Sequence, residues 1–174
     1  MNKRVKNLVY AAVCLALCMV LPFLTGQIRS IGNALCPIHI PVLLCGFLCG
    51  PWWALAIGVV APLLRFALFG MPVIFPMGIA MCFELGTYGF LCGFLYQHLS
   101  KNVVNIYLSL IPAMIAGRIV WGIVRSLLSG VAQSPFTWDI FIAGAFTTAI
   151  PGIVLHIVLI PLIIMALRRA NVVE

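Results

Sequence analysis

Four ionisable side chains interrupt long apolar stretches of this sequence. Arg65, Glu84, Arg118 and Arg125 each lie well inside a hydrophobic segment. A charged residue at the centre of a bilayer costs roughly 2.5–3.5 kcal/mol, so such residues persist mainly where they pair or face a wet cavity. A guanidinium group offers a planar fork that matches a carboxylate or a phosphate. The pattern therefore predicts a binding site for an anionic ligand.

Helical rise places these groups at different depths below the outer ends of their predicted helices. At about 1.5 Å per residue, Glu84 and Arg118 lie roughly 12 Å and 16 Å deep, whereas Arg65 and Arg125 lie roughly 7 Å and 6 Å deep. Glu84 and Arg118 are therefore expected to pair. An anionic ligand is expected to compensate the two shallower arginines, unless their side chains simply extend to the interface.

Residue spacing predicts two helix faces that together line a pocket. Each follows the helical i, i+3, i+4, i+7 rule or a close variant of it. The residues of the two faces are Arg118, Trp121, Gly122 and Arg125, and Met77, Met81, Glu84 and Tyr88. Of two further intramembrane residues, His156 is expected to be a hydrogen-bonded core histidine. His39 either caps its helix or lines the pocket.

Composition predicts an integral membrane protein, because 64% of the residues are hydrophobic and only 7% are charged. Soluble domains carry about 25% charged residues. The size suggests a single transmembrane domain, residues 1–174. The net charge of +7 comes mostly from basic residues near the chain ends and in one short loop. That distribution fits the positive-inside rule better than nucleic-acid binding.

The apolar segments predict an all-α bundle of six transmembrane helices. They cover about 5–24, 38–50, 52–70, 77–98, 103–129 and 139–167, with breaks at proline and glycine. The second is short for a full span, so a tilted, packed or partly re-entrant helix is expected. The basic residues place both termini in the cytoplasm. The longer connections then face outward, which suggests loops over an outward-facing pocket.

Small residues four positions apart predict surfaces on which helices approach closely. The pairs are Ala12 and Ala16, Gly46 and Gly50, and Gly89 and Gly93. Each pair serves either packing inside the bundle or docking of a partner membrane protein. Ala12 and Ala16 are the best docking candidates, because a first helix is often peripheral.

Several chemistries have no motif in the sequence. It contains no P-loop, G-x-G-x-x-G, H-E-x-x-H or G-x-S-x-G pattern, so we expect no enzyme and no cofactor in this chain. The seven cysteines lack a C-x-x-C zinc spacing and are expected to pack as small apolar residues, with a metal–thiolate site as the alternative. A small intramembrane enzyme, a membrane assembly factor and a standalone carrier remain alternative functions.

Residues 39–96 resemble the substrate-binding membrane subunits (S-components) of energy-coupling factor (ECF) transporters, most closely the branch of the pantothenate and riboflavin subunits. The matching features are "HIP" at the start of the short second helix, the "GP" turn at Gly50 and Pro51, and "ELGTYG" at 84–89. The face formed by Ala12 and Ala16 resembles the small-residue motif by which S-components dock on the coupling subunit.

This resemblance implies a vitamin-binding subunit in the cell membrane, surrounded by lipid. A transmembrane coupling subunit and two ATPase subunits, which use ATP, are the implied partners. The implied ligand contacts lie on the last three helices and the outer loops. The candidate substrate-binding residues are Arg118, Arg125, Glu84, Tyr88, Asn33, Arg65 and Trp121, of which Arg65 fits the family pattern less well. The surplus of arginine favours an anionic vitamin; pantothenate is the first choice, and folate, lipoate, niacin and queuosine precursors remain open.

Overall fold

The computed structural model describes residues 2–24, 34–131, 137–147 and 149–170, and every regular element within these ranges is helical. The elements are α1 (Lys3–Leu24), α2 (His39–Cys49), α3 (Pro51–Phe69), α4 (Ile79–His98), α5 (Val103–Val131), α6 (Trp138–Ile142) and α7 (Ile150–Arg169). Wide turns of π type at Ile74–Gly78 and Ala143–Thr147 precede α4 and α7.

The described helices include five that are long and apolar enough to cross a membrane: α1, α3, α4 together with its preceding turn, α5 and α7. The predicted helical membrane bundle is therefore confirmed. Its short second helix is confirmed as well, because α2 has 11 residues, which is about 16 Å. The count of six spans and the cytoplasmic position of both termini stay predictions.

The short helix α2 lies inside the bundle and not against lipid. All of its residues except Leu48 are buried, because α1, α3 and α4 pack around it. Gly50 ends the helix at a φ of 91°, a conformation that glycine adopts without strain. Pro51 then starts α3 in the first turn, where its missing N–H needs no partner.

The central helix is α4, which contacts α2, α3 and α5 and is the most buried of the long spans. Glycines let its neighbours approach. A Cβ atom on Gly89 would come within 2.8 Å of the Ala54 carbonyl oxygen, and one on Gly93 within 3.0 Å of the Gly46 carbonyl oxygen. These small residues therefore pack inside the bundle, and the close approach draws the polar side chains of α4 into the interior.

The peripheral helix is α1, the least buried of the long spans. One side of it packs against α2 through Cys14 and Cys18, which are buried. Ala12 and Ala16 are exposed on another face. The small-residue surface that they form is therefore available to a neighbouring membrane protein, and their docking role stays a prediction.

The segment predicted at about 139–167 is not one continuous helix. It divides into α6, a π-type turn and α7. Pro151 lies in the first turn of α7 and marks a natural helix start. In the turn, Gly144 lies so close to Trp121 that a Cβ atom would come within 2.9 Å of the indole ring. The division brings α6 against α5.

Candidate substrate site

A buried ion pair joins α4 to α5. Nη1 of Arg118 lies 3.0 Å from Oε1 of Glu84, and both side chains are buried. Nη2 of the same guanidinium group donates to Sγ of Cys36 at 3.6 Å. The pairing expected from the depths of the two residues is confirmed. Such a pair needs good geometry and further hydrogen bonds to offset the desolvation of both charges.

Two histidines from other helices extend this pair. Nε2 of His39 on α2 lies 3.4 Å from Oε1 of Glu84. His156 on α7 stacks on His39 with ring centres 5.9 Å apart and planes inclined by 20°. His156 is buried and hydrogen-bonded to the backbone of Cys36, as expected for a core histidine.

Tyr88 completes the group, because its ring centre lies 5.2 Å from that of His39. We refer to the six buried side chains brought together here as the polar cluster. Its members are Cys36, His39, Glu84, Tyr88, Arg118 and His156. The helices α2, α4, α5 and α7 and the segment before α2 each contribute a side chain to the polar cluster. The cluster therefore connects most of the helices of the bundle.

The part of α5 beyond Arg118 continues the predicted inward face. Trp121 is buried and packs against Phe141 of α6, with ring centres 6.3 Å apart. Arg125 is half-buried and lies about 10 Å further along the helix than Arg118. Isoleucines on the opposite side of the helix are exposed. The predicted face therefore points into the protein.

Arg65 is placed away from the polar cluster. Its Nη1 donates to the carbonyl oxygen of Met19 at 3.2 Å, and its guanidinium group lies over the ring of Phe69 at 5.3 Å. Arg65 thus ties α3 to α1, and its role in ligand binding stays a prediction. Asn33 lies outside the described residues.

Sequence patterns assigned Glu84, Tyr88 and Arg118 to the site and kept His39 as either a helix cap or a pocket residue. They did not assign Cys36 or His156 to the site. The signal for the two histidines was their position inside apolar segments. Periodicity shows on which face of its own helix a residue lies, but it does not show which helices pack together. It therefore did not predict the contact between His39 of α2 and His156 of α7. Within the described residues, no group of three or more His, Cys, Asp or Glu side chains is arranged to hold a metal ion.

The fold and the polar cluster define a multi-pass membrane protein with a polar site among its helices. A sequence model of the family described as "ECF transporter, substrate-specific component" matches residues 6–164. The chain therefore belongs to the family of substrate-specific components of ECF transporters. These components bind small-molecule substrates and work with a membrane coupling subunit and ATPases, and the family is not an enzyme family. Comparisons with curated proteins and with solved structures gave no match.

Proposed function

We propose that this chain captures a water-soluble vitamin with an anionic group and presents it to an energy-coupling complex in the plasma membrane. Family membership supports the role of a substrate-binding subunit. The observation that carries the anionic preference is the charge on α5. Arg118 and Arg125 both lie on its inward face, about 10 Å apart along the helix axis, and Glu84 is the only carboxylate in the sequence of the long helices.

The charge of Glu84 is already engaged within the protein. It lies between Arg118 and His39, at 3.0 Å and 3.4 Å. Arg125 adds a second guanidinium group to the inward face of α5, and a substrate carboxylate matches the planar fork of that group. With both termini in the cytoplasm, Arg125 lies toward the outer side, from which a vitamin arrives. Pantothenate, a small carboxylate, remains the first choice.

Calorimetric titration of the purified protein with a panel of vitamins tests this proposal. The panel contains pantothenate, folate, lipoate, niacin and riboflavin, and native mass spectrometry of the protein identifies any co-purifying small molecule. One anionic vitamin is expected to bind at nanomolar to low-micromolar concentration. If no vitamin binds, or if only the uncharged ring system of riboflavin is bound, the proposal is wrong.

Substitution of Arg125 tests the residue on which the anionic preference depends. Hydrogen bonds to charged groups contribute about 1.5–3 kcal/mol, so Arg125→Gln is expected to weaken binding of the carboxylate about 10–100-fold. Arg169→Gln is the matched control, because Arg169 is exposed at the end of α7. If Arg125→Gln binds the carboxylate with wild-type affinity, Arg125 is not part of the binding site.

A further inference from the structure

The polar cluster has more hydrogen-bonding capacity than its members use. Nδ1 of His39, Nε of Arg118 and Nε2 of His156 are buried and have no hydrogen-bond partner among the described residues. The hydroxyl group of Tyr88 lies near Glu84 without a well-aligned hydrogen bond. Each buried polar atom left in this state costs about 1–3 kcal/mol, and native proteins rarely keep several together. These four atoms come from four helices and belong to side chains of one contacting cluster.

The charge of the cluster limits what completes it. Arg118 and Glu84 compensate each other, and imidazole and phenol groups in their neutral forms both donate and accept hydrogen bonds. A second carboxylate would be repelled by Glu84. An amide or a hydroxyl group fits, since it donates and accepts without adding charge.

Resting on the proposed function, we propose that the polar cluster is an inner subsite that binds the uncharged polar end of the substrate. Arg125 then binds the carboxylate at the other end, about 10 Å away along α5. The substrate is an extended carboxylic acid whose far end carries amide or hydroxyl groups. His39 and His156, together with Tyr88, determine the specificity for that end.

This arrangement separates the candidate vitamins by length and by the chemistry of the far end. Niacin is a short aromatic acid and does not reach from Arg125 to the polar cluster. Lipoate has sufficient length but brings an apolar ring, which leaves the buried polar atoms unpaired. Pantothenate and folate carry hydroxyl or amide groups far from the carboxylate. A site built to hydrogen-bond a polar group discriminates strongly against analogues that lack it.

Competition binding with these four acids tests the inference on the wild-type protein. Pantothenate or folate is expected to bind at least 100-fold more tightly than lipoate and niacin. If lipoate or niacin binds as tightly as the better of the other two, the inner subsite is wrong while the proposed function stands. If none of the vitamins binds, both are wrong.

Two substitutions at one position test the subsite itself. His156→Leu is expected to weaken binding of the preferred acid, pantothenate or folate, at least tenfold, whereas His156→Gln, which keeps a donor and an acceptor, restores most of the affinity. Ile164→Val is the control, because Ile164 is buried on the same helix outside the polar cluster. The thermal midpoint of each variant is measured alongside. Unchanged affinity in His156→Leu, or an equal loss in the leucine and glutamine variants, assigns the histidine to packing alone and overturns the inference.

Discussion

Replacing Glu84 with glutamine keeps the size of the side chain and removes the charge that balances Arg118. The carboxylate is 2% exposed and contacts Nη1 of Arg118 at 3.0 Å and Nε2 of His39 at 3.4 Å. Removing one partner of a buried ion pair leaves the other uncompensated, which costs about 3–5 kcal/mol. For a chain of this size the loss corresponds to roughly 6–20 °C in Tm.

A double variant separates the uncompensated charge from the loss of the pair itself. Glu84→Gln combined with Arg118→Met removes both charges while keeping similar volumes. Because replacing a whole buried pair by uncharged side chains is often close to neutral, the double variant is expected to regain at least half of the lost stability. Residues in direct contact show coupling energies of about 0.5–3 kcal/mol, and this pair is expected in the upper half of that range.

Thermal unfolding of the purified variants in detergent measures these differences. Asp139→Asn is the matched control, because it makes the same chemical change at an exposed residue of α6. Its expected effect is within about 0.5 kcal/mol. The reasoning is refuted if Glu84→Gln is no less stable than Asp139→Asn. It is also refuted if the losses of the two single variants simply add in the double variant.

Three further predictions concern helix contacts outside the ion pair. Arg65→Leu removes the hydrogen bond to the Met19 carbonyl oxygen of α1, so the buried thiol of Cys18 is expected to react about tenfold faster with a membrane-permeant maleimide. Mass spectrometry measures the rate. An unchanged rate would show that Arg65 does not hold α1 against α3. Gly89→Ala is expected to lower the unfolding free energy by about 1–3 kcal/mol, because its methyl group clashes with α3. Gly130→Ala is the control and is expected to be neutral or stabilising, because no atom lies near the added methyl group. Equal effects of the two substitutions in chemical denaturation would contradict the packing argument. Ala16→Leu is expected to reduce co-purification with the coupling subunit while leaving the protein folded. Val158→Leu, on the exposed face of α7, serves as the control. If Ala16→Leu co-purifies as well as the wild type, docking uses another surface.

Hydropathy and helix breakers predicted the elements well where the breakers stand between apolar runs. The short helix expected at about 38–50 is observed at His39–Cys49, because Gly50 and Pro51 interrupt the run at its end. The break between α6 and α7 was missed for a physical reason. Pro151 lies inside an apolar stretch, and a proline there fits either a kink within one helix or the start of a second one.

The contact between Glu84 and Arg118 was predictable because Glu84 is the single carboxylate well inside a predicted span, at a depth close to that of Arg118. Arg65 shows the limit of that argument. Depth alone does not distinguish an arginine that faces α1 from one that faces the space between α4 and α5. The direction depends on helix order around the bundle, which the periodicity of a single helix does not contain.

The polar cluster and the predicted docking face lie on different helices, and one short helix contacts both. The cluster is built on buried helices, whereas Ala12 and Ala16 lie on α1, which contributes no residue to it. The helix α2 contacts both the polar cluster and α1. It holds His39 at one end, and at the other Asn7 of α1 donates to the carbonyl oxygen of Cys49 at 3.3 Å while Sγ of Cys49 donates to the carbonyl oxygen of Asn7 at 3.5 Å. The helix α2 therefore connects the polar cluster directly to the helix that bears the predicted docking face.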